Sequence, residues 1–194
     1  MRFLSLLLLG CLLSGCGQDP AELQRQREAL QEGVVTGFQQ HRAAFAQLAP
    51  YYRLRYLKTI AFHGPDSVSL EYSTAPGRNG DIRTVKRRPL RSAEVLTVLA
   101  REGLAPEQLR RLHQTLAALK VTKLGVLESY NIERGNPEFA LDLRCAAQTD
   151  NGLTFYYRAF QAPLDSISPG FYGMPTNGKA TGGILDAHTI WYYK

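Results

Sequence analysis

Between Asp19 and Pro50, hydrophobic residues fall at Leu23, Leu30, Val34, Phe38, Phe45 and Leu48, with His41 in the same series. Spacings of three, four and seven trace a single stripe along a helix. Asp19-Pro20-Ala21-Glu22 is a start signal. The aspartate caps, the proline suits the first turn, and the glutamate complements the positive end of the helix dipole. Pro50 ends the pattern, which predicts a helix of about 29 residues, roughly 43 Å long, with Gly33 and Gly37 as points of bending.

The period then changes. Tyr56 to Phe62 is rich in strand formers, and Ser67 to Ser73 alternates with Val68, Leu70 and Tyr72 on one face. His63-Gly64-Pro65-Asp66 reads as the turn between them, and a longer turn over 75–81 leads to a third strand near Ile82 to Lys86. Helical spacing returns at Ala93 to Glu102, with Ser92 as the cap and Gly103 as the stop. A second helix opens at Ala105-Pro106-Glu107 and carries Leu109, Leu112, Leu116 and Leu119. Strand patterns follow at Leu124–Ser129, Phe139–Gln148 and Leu153–Gln161, the last two flanking an Asn151-Gly152 hairpin signal. Residues 166–183 are rich in Gly, Pro and Ser and read as a loop, and Thr189 to Tyr193 closes the chain as a strand.

Runs of each element type, rather than strict alternation, predict an α+β fold. It has a long N-terminal amphipathic helix and a mainly antiparallel sheet with a helical pair inserted. No internal repeat or linker divides residues 16–194, so they are expected to form a single α+β domain.

One apolar run stands apart. Arg2 precedes Phe3 to Leu13, and the run ends in Leu13-Ser14-Gly15-Cys16. Eleven residues of helix reach roughly 16 Å, about half a bilayer core, which suits a signal peptide and not a span. This leader resembles a bacterial lipoprotein signal with its lipobox. The resemblance covers residues 1–16 only and names no family for the rest. It implies that residues 1–15 are a signal peptide, and that Cys16 takes a diacylglycerol on sulfur and a fatty acyl chain such as palmitate on its freed amine. Several chains make attachment effectively permanent. In the enteric sorting pattern an aspartate after the cysteine retains a lipoprotein in the inner membrane. Gly17 stands there instead, so the implied location is the cell envelope, the outer membrane rather than the inner.

Without the leader, 179 of the 194 residues remain, enough for a real core. The chain carries 23 basic and 17 acidic residues, and loss of Arg2 leaves a net charge of +5. With Cys11 removed and Cys16 acylated, Cys145 is the single free thiol. It alternates with Phe139, Leu141 and Leu143, which predicts an apolar strand face and a structural role.

Motifs with chemistry are sparse. Gly173 to Lys179 has P-loop spacing, but Ala180 replaces the magnesium-binding Ser or Thr, and neither a preceding strand nor a following helix is indicated. The histidines at 41, 63, 113 and 188 show no metal-ligand spacing, although Asp186 and His188 place a carboxylate near an imidazole. No cofactor or metal is expected. Arg78, Arg83, Lys86, Arg87, Arg88 and Arg91 put six cations into fourteen residues against Asp81 alone. Aromatics gather at Tyr51-Tyr52, Tyr156-Tyr157 and Trp191-Tyr192-Tyr193. Period two sends one of each pair into the core and turns its neighbour outward.

These features point to a non-enzymatic envelope lipoprotein. Lipid would hold it at the membrane, and it would bind a partner protein or envelope polymer. The expected surface is Arg83, Lys86, Arg87 and Arg88 with Tyr156, Tyr157, Trp191 and Tyr193. Nucleic acid is excluded by the implied compartment. A cell-wall or polysaccharide hydrolase using Asp142, Asp165 or Asp186 is the enzymatic alternative, and a structural spacer is the third.

Overall fold

The computed structural model describes residues 20–76, 80–148, 154–168, 171 and 182–193, and every structural statement below concerns these. The lipobox, Asp19, Arg78, the Asn151-Gly152 turn and the P-loop-like segment lie outside them.

The chain opens with helix α1 (Pro20–Ala46) and a short 3-10 turn (Ala49–Tyr51). Three strands follow, β1 (Leu57–Phe62), β2 (Ser67–Ser73) and β3 (Ile82–Pro89), then helices α2 (Ala93–Glu102) and α3 (Pro106–Ala118). Strands β4 (Val121–Asn131), β5 (Asn136–Gln148), β6 (Thr154–Phe160), β7 (Gly182–Ile184) and β8 (Thr189–Tyr193) complete one eight-stranded sheet, ordered β3-β2-β1-β4-β5-β6-β8-β7. Every pairing in it is antiparallel. The fold is α+β.

The register explains how the core forms. Val85, Leu70, Ile60, Leu124, Leu143, Tyr157 and Trp191 lie directly opposite one another across seven strands, each 9% exposed or less. Gly183 ends the row on β7, where an added Cβ would stand 2.7 Å from the Trp191 indole nitrogen. Because side chains alternate, one aligned apolar row places a whole face in the core. The helices cover that face. Val34, Phe38 and Phe45 of α1, Val95, Val98 and Leu99 of α2, and Leu109, Leu112 and Leu116 of α3 join the sheet residues in one cluster. Each fully buried leucine there contributes about 2 kcal/mol.

Two tyrosines tie the layers together by polar contacts. The Tyr157 hydroxyl donates to the Val34 carbonyl at 2.8 Å, and the Tyr51 hydroxyl to that of Gln108 at 2.9 Å. An added Cβ at Gly37 would meet the Tyr157 hydroxyl at 3.5 Å, an ordinary van der Waals contact. The bend in α1 is elsewhere, at His41 (φ −116°, ψ 20°), not at Gly33 or Gly37.

Helix ends also depart from expectation. The Ser92 hydroxyl makes no capping bond and has no partner among the described residues. Gly103 does stop α2 in the left-handed region. The start of α3 is closed by Gln108, whose side-chain oxygen accepts from the Ala105 N–H at 2.7 Å. After α3 a lysine, Lys120, takes the left-handed position (φ 53°).

On the opposite sheet face, Ala140, Phe160 and Ile190 are covered by Ile167, with Leu164 and Phe171 packed alongside. Glu138, 4% exposed, pins this cover by accepting from the Ser168 N–H (2.7 Å), the Ser168 hydroxyl (2.6 Å) and the Asn131 amide (2.8 Å). Burial pushes its carboxyl upward, but these bonds and Arg134 outweigh burial and leave it below the usual glutamate range.

Candidate interaction surface

β3 is the terminal strand of the sheet, and Val85 is its sole buried residue. The register assigns its charges to two faces. Arg83 lies opposite Tyr72 and Arg88 opposite Val68, which puts both on the helix side. Between Val68 and Leu70 the register shifts, so an extra residue is carried by β3. Arg87 accommodates it at φ 46°. Its N–H turns inward to the Ser69 hydroxyl at 2.9 Å, and that hydroxyl also meets His63 Nε2 at 2.8 Å.

A cleft flanks the strand on each side. The helix-side cleft, about 560 Å³, is lined by Tyr72, Lys86, Arg88, Glu94 and Arg101 among others. The outer one, about 310 Å³, is lined by His63, Glu71, Lys86, Arg87 and Lys123 among others. Arg88 is engaged by Glu94 at 2.8 Å, and the Arg101 guanidinium sits 5.8 Å from the Tyr72 ring centre. Arg83, Lys86, Arg87 and Lys123 form no ion pair among the described residues.

The aromatic half of the expected surface is not assembled with them. Tyr157 (3% exposed) and Trp191 (6%) lie beneath the helices and are not surface residues. Tyr157 packs against Phe38 and Phe45, and Trp191 stacks on Phe155. Tyr193 is half-buried beside Phe155. Tyr156 faces the other way, with Lys86 and Arg87. Its ring stacks on Tyr192, centres 5.1 Å apart and planes at 10°. Beside this pair Arg158 grips Asp142 with two bonds, Nε to Oδ1 at 2.6 Å and an Nη to Oδ2 at 2.9 Å. Asp142 also accepts from the Tyr192 hydroxyl at 2.7 Å. Burial, reinforced by the Asp142 charge, pushes the Tyr192 phenol upward.

Asp186 bonds Arg42 at 3.4 Å and accepts the His188 backbone N–H at 2.9 Å, so it meets that histidine through its main chain. His113 packs on the Phe62 ring at 5.0 Å. Asp165 lies in a short 3-10 turn (Leu164–Ser166). Cys145 is buried, and burial raises its thiol to about 12. Among the described residues no group of three or more His, Cys, Asp or Glu could hold a metal.

No family model, curated protein or solved structure matches this chain.

The chemistry of the surface is therefore read from its own residues. It joins a terminal strand to cations on two sides that form no ion pair among the described residues. The cations were legible as a cluster in sequence. Lys123 and His63 were not, because β4 and the β1–β2 turn bring them in from distant positions. Among the described residues no helix is long and apolar enough to cross a membrane.

Proposed function

We propose that this chain is a lipid-anchored, non-enzymatic protein of the bacterial envelope that binds an acidic partner, a protein or an envelope polymer, along β3. The observation that carries this is the exposed terminal strand with Arg83, Lys86 and Arg87 all outside any ion pair among the described residues. An ordinary solvated surface intersperses both signs. Here the cations are concentrated on the longer of the two terminal strands, which also offers unpaired backbone.

The lipobox supports the anchoring. With Cys16 acylated and α1 beginning at Pro20, the domain stands against the membrane on a tether of a few residues. Gly17 favours the outer membrane. In this reading α1 is the amphipathic brace next to the anchor, and α2 with α3 is an insertion between β3 and β4 that supports the binding edge from behind. The hydrolase alternative has less support, since Asp142 is already committed to Arg158 and Tyr192.

Two measurements test the reading. Intact mass and membrane fractionation of Cys16→Ser against the native chain should show loss of the acyl mass and release from the membrane. Pull-down from detergent-solubilised membranes should lose its partners when Arg83, Lys86, Arg87 and Arg88 are all changed to Glu. Unchanged partners remove the binding surface, and unchanged mass removes the anchor.

A further inference from the structure

Resting on that reading, we propose that the partner is an extended acidic polypeptide segment which adds to β3 as a ninth strand. Three observations carry it.

The first is backbone direction. The Thr74 N–H donates to the Asp81 carbonyl at 2.9 Å, and Ile82 lies opposite Ser73. Asp81 therefore points its backbone toward β2. Antiparallel partners alternate between bonded and non-bonded pairs, so Arg83 and Val85 do the same. The N–H and C=O of Ile82 and Thr84 point the other way, to the open rim.

The second is charge. An added strand alternates its side chains between the two faces. On one it meets Arg83, on the other Arg87, and Lys86 lines the clefts on both sides. Two copies of β3 repel each other through the same cations, whereas an acidic strand is attracted. The charges that protect the edge from self-pairing thus select its partner.

The third is Ile82, 59% exposed at the start of the strand, an apolar contact for one partner side chain. A sheet of anionic headgroups would use the charges but not the backbone groups or this isoleucine.

The probe is an eight-residue peptide of alternating Glu and Val, offered to the full chain in detergent and followed by residue-resolved hydrogen exchange. Exchange at Ile82 and Thr84 should slow on peptide binding, with Arg83 and Val85 already slow. Thr84→Pro and Ile82→Pro each remove an outward donor and leave every cation in place. Each should weaken peptide binding about tenfold, the loss expected for one backbone bond and its neighbours. Slow exchange at Arg83 and Val85 in these variants reports that β3 still pairs with β2.

Several results overturn the proposal. One is peptide binding with no change at Ile82 and Thr84 and no loss in the proline variants. This leaves a charge-driven surface standing and removes strand addition. Vesicles of phosphatidylethanolamine and phosphatidylglycerol that bind while the peptide does not assign the cations to a membrane. Binding to neither probe also refutes it. Loss on reversal of Lys86 and Arg87 to Glu, without loss in the proline variants, separates the two readings.

Discussion

Glu102 offers the sharpest test of how α2 is tied to the sheet. It is the last residue of α2, and its carboxylate accepts three successive backbone N–H groups at the start of β1: Arg55 at 2.9 Å, and Tyr56 and Leu57 each at 2.5 Å. Leu57 is fully buried. Glu102→Ala removes the acceptor from all three. The exposed Arg55 N–H turns to water, but those of Tyr56 and Leu57 are left without a partner. An orphaned buried donor costs about 1–3 kcal/mol, so the expected loss is about 3 kcal/mol. For a domain of this size that corresponds to a fall in Tm of roughly 6–12 °C. Glu102→Gln keeps one acceptor oxygen and should lose about half as much, because its amide nitrogen faces a donor. Equilibrium unfolding in urea measures both. A loss below about 1 kcal/mol for the alanine variant, at an unchanged m value, would show that water replaces the carboxylate and that the junction is not a polar clamp.

Other predictions follow from single residues. Glu138 has its folded carboxyl below the usual value, so its stabilisation is complete above the unfolded pKa of about 4.3 and is lost as pH falls through the folded value. The stability gap between the native chain and Glu138→Gln should therefore be widest near neutrality, begin to narrow as pH nears about 4.3 and close as pH falls through the folded value, read from urea midpoints against pH. Lys120 sits in the left-handed region after α3, where a side chain costs about 1 kcal/mol, so Lys120→Gly should raise Tm by a few degrees in a thermal melt. Cys145, buried and shifted to about 12, should react with a thiol reagent at neutral pH at the rate of global unfolding, accelerating in urea together with loss of structure. Tyr157→Phe should cost about 1 kcal/mol by deleting the bond to Val34, with faster exchange along α1.

Much of the fold was readable because its period was local. The span of β2 follows from Val68, Leu70 and Tyr72 alone, and Gly103 marks the end of α2. Elsewhere the deciding partner was remote. Alternation separates Tyr156 from Tyr157, but which of them lies in the core depends on α1, whose Val34 carbonyl is 123 residues away. The same holds at Trp191. Residues 166–183 are rich in Gly, Pro and Ser and read as loop, yet Ile167, with Leu164 beside it, covers a sheet face because Glu138 holds Ser168 from 30 residues upstream. Ser92 had the residue type of a cap without the bond, a feature of hydroxyl geometry and not of composition. At the candidate surface the cations of β3 were visible as a run. Their division between two faces was not, since it turns on the bulge at Arg87.

The two rims of the sheet are unequal. At one end stands β3 with eight residues; at the other, β7 has three, two of them glycines pressed against Trp191 and Tyr192. Head-to-tail stacking of copies would have to join these rims, and β7 offers a ladder of only about 10 Å. Were the chain held on a lipid surface as proposed, molecules crowded side by side would find no matching seam between the described rims along which to grow a fibre. The long rim would then stay vacant for something other than kin.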